Sequence, residues 1–308
     1  MPNSHVTITI ISTLLFFHTL PSNGQEQSSP LFRSGTELVD LYVTVTDRNG
    51  RLVPSLTKDD FLILDNAQQQ EIVLFDNSVR PITVVVMLDT SISTTNVMEL
   101  IMGGAEQFLI RMLPGDTARV GAFNDKIEIS PNSFIGDRDE LVDELDKLDF
   151  GNDTRLFDAI QESLDALAEI STRKVILVLT DGQDSASTSK WKNILNQAIA
   201  EEVMIYAIGL EVEYFDGRRN RKTRPDRRLK QLAEETGGGY FELRATDELG
   251  STFTRVSQEL HSQYVLGFSP PVIDGKTHSV EIRLLDKNMK ARARRSYVAE
   301  RKNLTASP

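Results

Sequence analysis

The sequence predicts an α/β protein: a doubly wound, mainly parallel sheet inserted into a small β-sandwich formed by the N- and C-terminal flanks. Two short runs, Val84–Leu88 and Val175–Leu179, are continuously apolar and rich in β-branched residues, as strands buried on both faces are. Between Ile82 and His261, strands of this kind alternate with helix-period segments, which implies parallel strands joined by crossover helices. Outside that stretch, residues 38–80 and 263–299 carry period-two alternation and turn signals, and each flank holds too few strands to stand alone.

In the first flank, Leu41, Val43 and Val45 alternate with Tyr42, Thr44 and Thr46, and Asp47-Arg48-Asn49-Gly50 supplies a hairpin turn. Phe61–Leu64 and Glu71–Phe75 are expected as two further strands. The α/β part is expected over residues 81–262. Its first helix presents Val97, Ile101, Gly104, Phe108 and Met112 on one face. Gly103 and Gly104 interrupt that helix at a cost of about 1 kcal/mol each relative to alanine, for which close approach of helix to sheet is the expected reason. Ala118–Phe123 and Ile127–Phe134 follow as strands. Leu141, Leu145 and Leu148 stripe a short acidic helix, and Leu156, Ile160, Leu164 and Leu167 stripe the helix that Thr154 introduces. Strand Val203–Leu210, helix Arg228–Glu235, strand Gly239–Leu243 and helix Asp247–His261 complete the alternation.

The second flank opens with Gln263–Phe268. Val280, Ile282 and Leu284 then alternate with polar residues, Asp286-Lys287-Asn288 turns the chain, and Ala291, Ala293 and Tyr297 mark a return strand. The economical arrangement pairs the two flanks into one sandwich, because an inserted domain needs neighbouring ends. Two independent small β units are the alternative.

With 308 residues, 40% of them hydrophobic and 26% charged, the chain has the composition of a globular protein. A formal charge of −11 speaks against nucleic acid as a partner, since phosphate neutralisation requires a basic footprint. Cysteine is absent, so neither a disulfide framework nor a thiolate zinc site is available. Residues 1–24 contain no Lys, Arg, Asp or Glu, and the apolar Val6–Leu20 run leads into Pro21-Ser22-Asn23-Gly24. That segment is expected to be a secretory signal, although the usual basic leader is missing; an uncleaved anchor is the alternative. The run is short for a span, which takes about 20 apolar residues. A polar linker over 25–37 and a tail over 300–308 complete the expected organisation, with a secreted, periplasmic or cell-envelope location and no transmembrane span after cleavage.

Each buried run ends in an acid. Asp89-Thr90-Ser91-Ile92-Ser93 follows the first, Asp181-Gly182 closes the second, and Gly151-Asn152-Asp153-Thr154 precedes a helix between them. Loops at the carboxyl ends of parallel strands converge, so two carboxylates and three hydroxyls can meet as an oxygen-only site for a small hard cation. Taken singly, Ser93, Thr94 or Thr154 could instead be helix caps, and Asp181-Gly182 an ordinary turn. In order and together, Asp89-x-Ser91-x-Ser93, Thr154 and Asp181-Gly182 resemble the complete metal-ion-dependent adhesion site of von Willebrand factor type A (VWA) domains. The resemblance covers roughly Pro81 to His261, and the wider chain is similar to secreted bacterial proteins of that family. It implies a VWA/Rossmann-like fold shared with integrin I domains. It also implies Mg2+ (or Mn2+) as cofactor, with hydroxyl oxygens from Ser91, Ser93 and Thr154 and with Asp89 and Asp181 in contact directly or through water. The implied partner is a protein ligand presenting Asp or Glu; a passive envelope scaffold with a structural metal is the alternative.

No catalytic residue is expected. The aspartyl nucleophile of phosphoryl-transfer enzymes needs a second acid where this chain has Ser91, and G-x-S-x-G, Walker, G-x-G-x-x-G and H-E-x-x-H motifs are absent. Of the histidines, His261 is expected to end a helix and His278 to begin a strand, both away in sequence from the metal loops. Arg218, Arg219, Arg221, Lys222, Arg224, Arg227 and Arg228 crowd one loop after strand Val203–Leu210, as a rim attracting acidic ligands or simply as a solvated loop.

Overall fold

The computed structural model describes residues 38–215, 218–243 and 249–300. The expected signal, the linker and residues 301–308 of the tail lie outside the described residues.

The central sheet has strand order β12-β9-β8-β5-β6-β7. Its strands are β5 (Ile82–Asp89), β6 (Thr117–Phe123), β7 (Ile127–Ile135), β8 (Arg173–Thr180), β9 (Met204–Leu210) and β12 (Tyr240–Leu243). All neighbours run parallel except β7, which returns antiparallel to β6. Every residue of β5 is buried, which is why its sequence shows no polar alternation. Odd and even positions serve different faces. Val84, Val86 and Leu88 pack under helices α1 (Met98–Leu109), α2 (Arg138–Leu145) and α6 (Leu249–His261). Val85 and Met87 pack under α3 (Leu156–Leu167), α4 (Trp191–Ala200) and α5 (Arg227–Thr236).

Local chemistry starts the helices where it can. Asp137 accepts from the amides of Asp139 and Glu140 to open α2, and Asp226 accepts from Arg228 N to open α5. The two glycines of α1 differ from expectation. A β-carbon on Gly104 would lie 2.6 Å from the Phe253 ring, so the close approach is to helix α6 rather than to the sheet, and Gly103 has no atom within 4 Å of that position. Helix α4 leaves no clear sequence signal because it buries only Ile194 and Ala198, a narrow stripe.

The flanks build two further sheets, β15-β1-β13-β4 and β16-β14-β2-β3. Their members are β1 (Val39–Thr46), β2 (Phe61–Asp65), β3 (Gln68–Gln70), β4 (Leu74–Asp76), β13 (Tyr264–Phe268), β14 (Thr277–Leu284), β15 (Lys290–Arg292) and β16 (Ser296–Val298). Strands from opposite ends of the α/β insertion pair directly, Val39 with Phe268 and Ile63 with Ile282. Leu41, Val43, Phe61, Ile63, Leu266, Phe268 and Tyr297 share one core between the sheets. The stretch expected as a single strand, Glu71–Phe75, is a crossing instead: β3 belongs to one sheet, β4 to the other, and Ile72 is buried between them. A hairpin of β10 (Glu213–Phe215) and β11 (Asn220–Lys222) follows β9, where the sequence reads only as a loop.

Candidate metal centre

Strand order places the centre. Chain order reverses between β5 and β8, the two middle strands, and loops at such a switch point part to leave a crevice at the carboxyl edge. The β5–β8 register pairs Leu88 with Leu179, so Asp89 and Thr180 leave the sheet side by side. Thr180 Oγ1 donates to Asp89 Oδ2 at 2.5 Å and accepts from Gly182 N at 3.2 Å. Asp89 Oδ1 accepts from Ser91 N at 3.0 Å. The Ser91 and Ser93 hydroxyls lie 3.3 Å apart, and Ser93 Oγ donates to Asp181 Oδ1 at 2.9 Å. Four of the five expected residues therefore form one connected hydrogen-bonded chain.

Thr154 reaches the same edge through its backbone. Its carbonyl accepts from Ser185 N at 3.0 Å, and its amide donates to Ser185 Oγ at 3.0 Å, four residues beyond Asp181. Three residues earlier, Gly151 N donates to the Thr90 carbonyl at 3.1 Å. The Asp125 carboxylate fastens the middle of this loop by accepting from the Asn152 and Asp153 amides. Capping does not account for Thr154: the first amides of α3, at Phe157 and Asp158, donate to Ser187 Oγ at 3.0 and 3.1 Å. Ser91, at the capping position of the 3-10 turn Ile92–Val97, makes no side-chain cap bond either.

Electrostatically the centre is unbalanced. Asp89 and Asp181 are fully buried, and among the described residues neither takes part in a salt bridge. Burial pushes the Asp89 carboxyl up against the hydrogen bonds from Ser91 and Thr180. Burial, and the negative charge of Asp89 beside it, push Asp181 up to about 7. Asp181 Oδ2 is buried without a hydrogen-bond partner. An orphaned carboxylate oxygen next to a second buried carboxylate, among hydroxyls, fits a small hard divalent cation. Sequence reasoning missed Thr180, Ser185 and Ser187, whose only signal is a polar residue at or just after the end of an apolar run.

The family model of the von Willebrand factor type A domain matches residues 83–255 of the chain, the stretch that builds this sheet. The chain belongs to that family. Solved structures repeat the VWA fold. A von Willebrand factor type A protein from Catenulispora acidiphila is 11% identical, with a TM-score of 0.51 over 87% of this chain and 75% of that one. Proximal thread matrix protein 1 from the mussel byssus, solved with a zinc-occupied MIDAS motif, is 16% identical, with a TM-score of 0.50 over 62% of this chain and 48% of that one. Comparison with curated protein sequences finds no match. Among the described residues, no helix is long and apolar enough to cross a membrane.

The basic segment of this VWA domain is partly neutralised from within. Lys222 Nζ lies 3.0 Å from Glu211 and 3.2 Å from Glu213. Arg228 pairs with Asp226 at 2.5 Å while its guanidinium stacks 4.4 Å above the Phe157 ring. Thr223, at the foot of the hairpin, adjoins Asp181 and so ties this segment to the metal edge.

Proposed function

We propose that this chain is an exported recognition module that binds a protein ligand through a divalent cation, Mg2+ or Mn2+. Asp89, Ser91, Ser93, Thr154 and Asp181 would hold the ion. When bound, the cation supplies an electrophilic seat for a carboxylate oxygen of the partner's Asp or Glu. The residues around it do the rest. Thr180 and Ser91 N orient Asp89, Ser93 orients Asp181, and Ser185 and Gly151 fix the loop that carries Thr154. Two carboxylates formally neutralise a divalent ion, so the other positions around it fall to neutral hydroxyls and exchangeable water, one of which an external carboxylate can replace.

The observation that carries this reading is the buried, unpartnered Oδ2 of Asp181 beside Asp89. Support for export comes from the uncharged, apolar N-terminal segment. Calorimetric titration of the full chain with MgCl2 and MnCl2 tests the ion: one site is expected, lost in Asp89→Ala. Capture from extracellular extract with magnesium and with chelator tests the ligand. Retention that survives chelation and Asp89→Ala favours a passive scaffold over metal-dependent recognition. Turnover of p-nitrophenyl phosphate or acetate, abolished by Asp89→Ala, would overturn the non-enzymatic reading.

A further inference from the structure

Gly103 occupies the middle of helix α1, and no contact in the fold demands a glycine there. Its neighbour Gly104 excludes any β-carbon because of Phe253, whereas a β-carbon on Gly103 would enter open space. Glycine is among the poorest residues for a helix interior, so an unforced one leaves a helix weaker with no packing return. What lies in front of Gly103 is a groove of about 600 Å³ between α1 and α2. Met98, Met102, Val142 and Leu145 contribute apolar walls. A side chain at Gly103 would project into it.

The groove adjoins the metal edge at two points. Thr95, two residues beyond Ser93, lines it, as does Phe150, which precedes the Gly151 amide bonded to Thr90. Phe150 is 59% exposed, and Ile92, between the two candidate serine ligands, is 68% exposed. An exposed large apolar residue at a groove, as Phe150 is, marks a contact surface for a protein partner. Glu99, Glu106 and Asp146 border the same groove, and among the described residues none of them is in a salt bridge.

We infer that this groove receives an apolar side chain flanked by Lys or Arg, borne by the same protein ligand whose carboxylate meets the cation. The inference rests on the metal-dependent reading for the carboxylate end only. Methionine walls adapt to different apolar shapes, and the acidic border favours a basic flank while repelling an acidic one. The ligand is thereby given a direction, with acid at the switch point and an apolar-basic segment along α1.

Fluorescence anisotropy of the full chain with three short synthetic peptides tests this. One is an amphipathic Leu/Lys peptide, the second has Glu in place of every Lys, and the third is the first extended through a Gly-Ser spacer to an Asp. The Leu/Lys peptide is expected to bind about tenfold more tightly than the Leu/Glu peptide, with or without EDTA. Gly103→Leu, which fills the groove without a backbone clash, and Glu99→Lys/Glu106→Lys, both at exposed positions, are each expected to weaken it about tenfold. The Asp extension is expected to add affinity only with Mg2+. No binding by the Leu/Lys peptide, or binding indifferent to both variants, overturns the groove. An Asp extension that adds nothing in Mg2+, with the variant effects intact, overturns the metal reading and leaves the groove standing.

Discussion

The two edges of the central sheet both bury charge, and they settle it in opposite ways. At the amino edge the signs are mixed. Arg173, the first residue of β8, stacks 4.5 Å above the Tyr42 ring, donates to the Leu260 carbonyl at 2.6 Å and hydrogen-bonds Gln263. Gln263 reaches Thr44 Oγ1 at 2.7 Å, and fully buried Glu259 takes both Arg292 and, at 3.2 Å, Arg255. Residues of β1 and β15 thus meet β8, α6 and the start of β13, so this polar cluster is the joint between sandwich and α/β domain. At the carboxyl edge the two buried charges that end β5 and follow β8, Asp89 and Asp181, have the same sign and, among the described residues, no salt-bridge partner. Mixed charges at a joint neutralise one another and fix geometry; like charges at a switch point stay unbalanced, and burial together with the charge of Asp89 pushes the Asp181 carboxyl up.

The sharpest way to break this comparison is to unbalance the joint. Glu259→Ala removes the buried carboxylate shared by Arg292 and the half-exposed Arg255 and is expected to lower stability by up to about 3 kcal/mol, measured by urea unfolding. Its Mg2+ affinity should remain that of the parent; a large change would mean that the edges are coupled.

Asp181→Asn should act with the opposite sign when metal is absent. The folded carboxyl of Asp181 titrates near 7, above its unfolded value of about 3.9. Its contribution to metal-free stability is therefore fully present below about pH 4 and lost as pH rises through about 7. The variant escapes that loss, so at pH 8 the metal-free variant should melt above the metal-free parent. The parent should gain about 2.7 kcal/mol from Mg2+ at a hundred times its Kd, and the variant nothing. Because binding requires the carboxylate, the parent's Mg2+ affinity should fall about tenfold per pH unit below about 7, as read by calorimetry.

Thr180→Val removes the hydroxyl that donates to Asp89 and accepts from Gly182 N. Leaving those groups unpaired should cost about 1–3 kcal/mol, with weaker Mg2+ binding, whereas Thr180→Ser should retain most of both. The smallest effects separate the neighbouring glycines of α1. Gly104→Ala should destabilise by about 1–3 kcal/mol through its clash with Phe253. Gly103→Ala should stabilise by up to about 1 kcal/mol. Thermal melts of the two single variants distinguish them.

The doubly wound sheet is legible because burial on both faces leaves an unmistakable apolar run at β5 and β8, and because amphipathic helices such as α3 carry a wide stripe. Where burial is slight the signal fades. Helix α4 buries two side chains, and the β10–β11 hairpin is polar wherever its burial is described. The candidate site was legible as an ordered set of oxygens, but not which of them would be caps. Ser187 caps α3 from a loop 30 residues away, and no local pattern around Thr154 announces that.

By itself, then, the sequence determines the strand and helix periods, the acids that end the two central strands and the hydroxyls that follow them, since these depend on local order and on which faces exclude water. Tertiary structure alone decides that β4 and β3 part into different sheets, that Asp89 faces Thr180, that Asp181 keeps a bare oxygen, and that Gly104 is forced while Gly103 is free. Those outcomes depend on distances between residues far apart in the chain, and a linear pattern does not encode a distance until packing closes it.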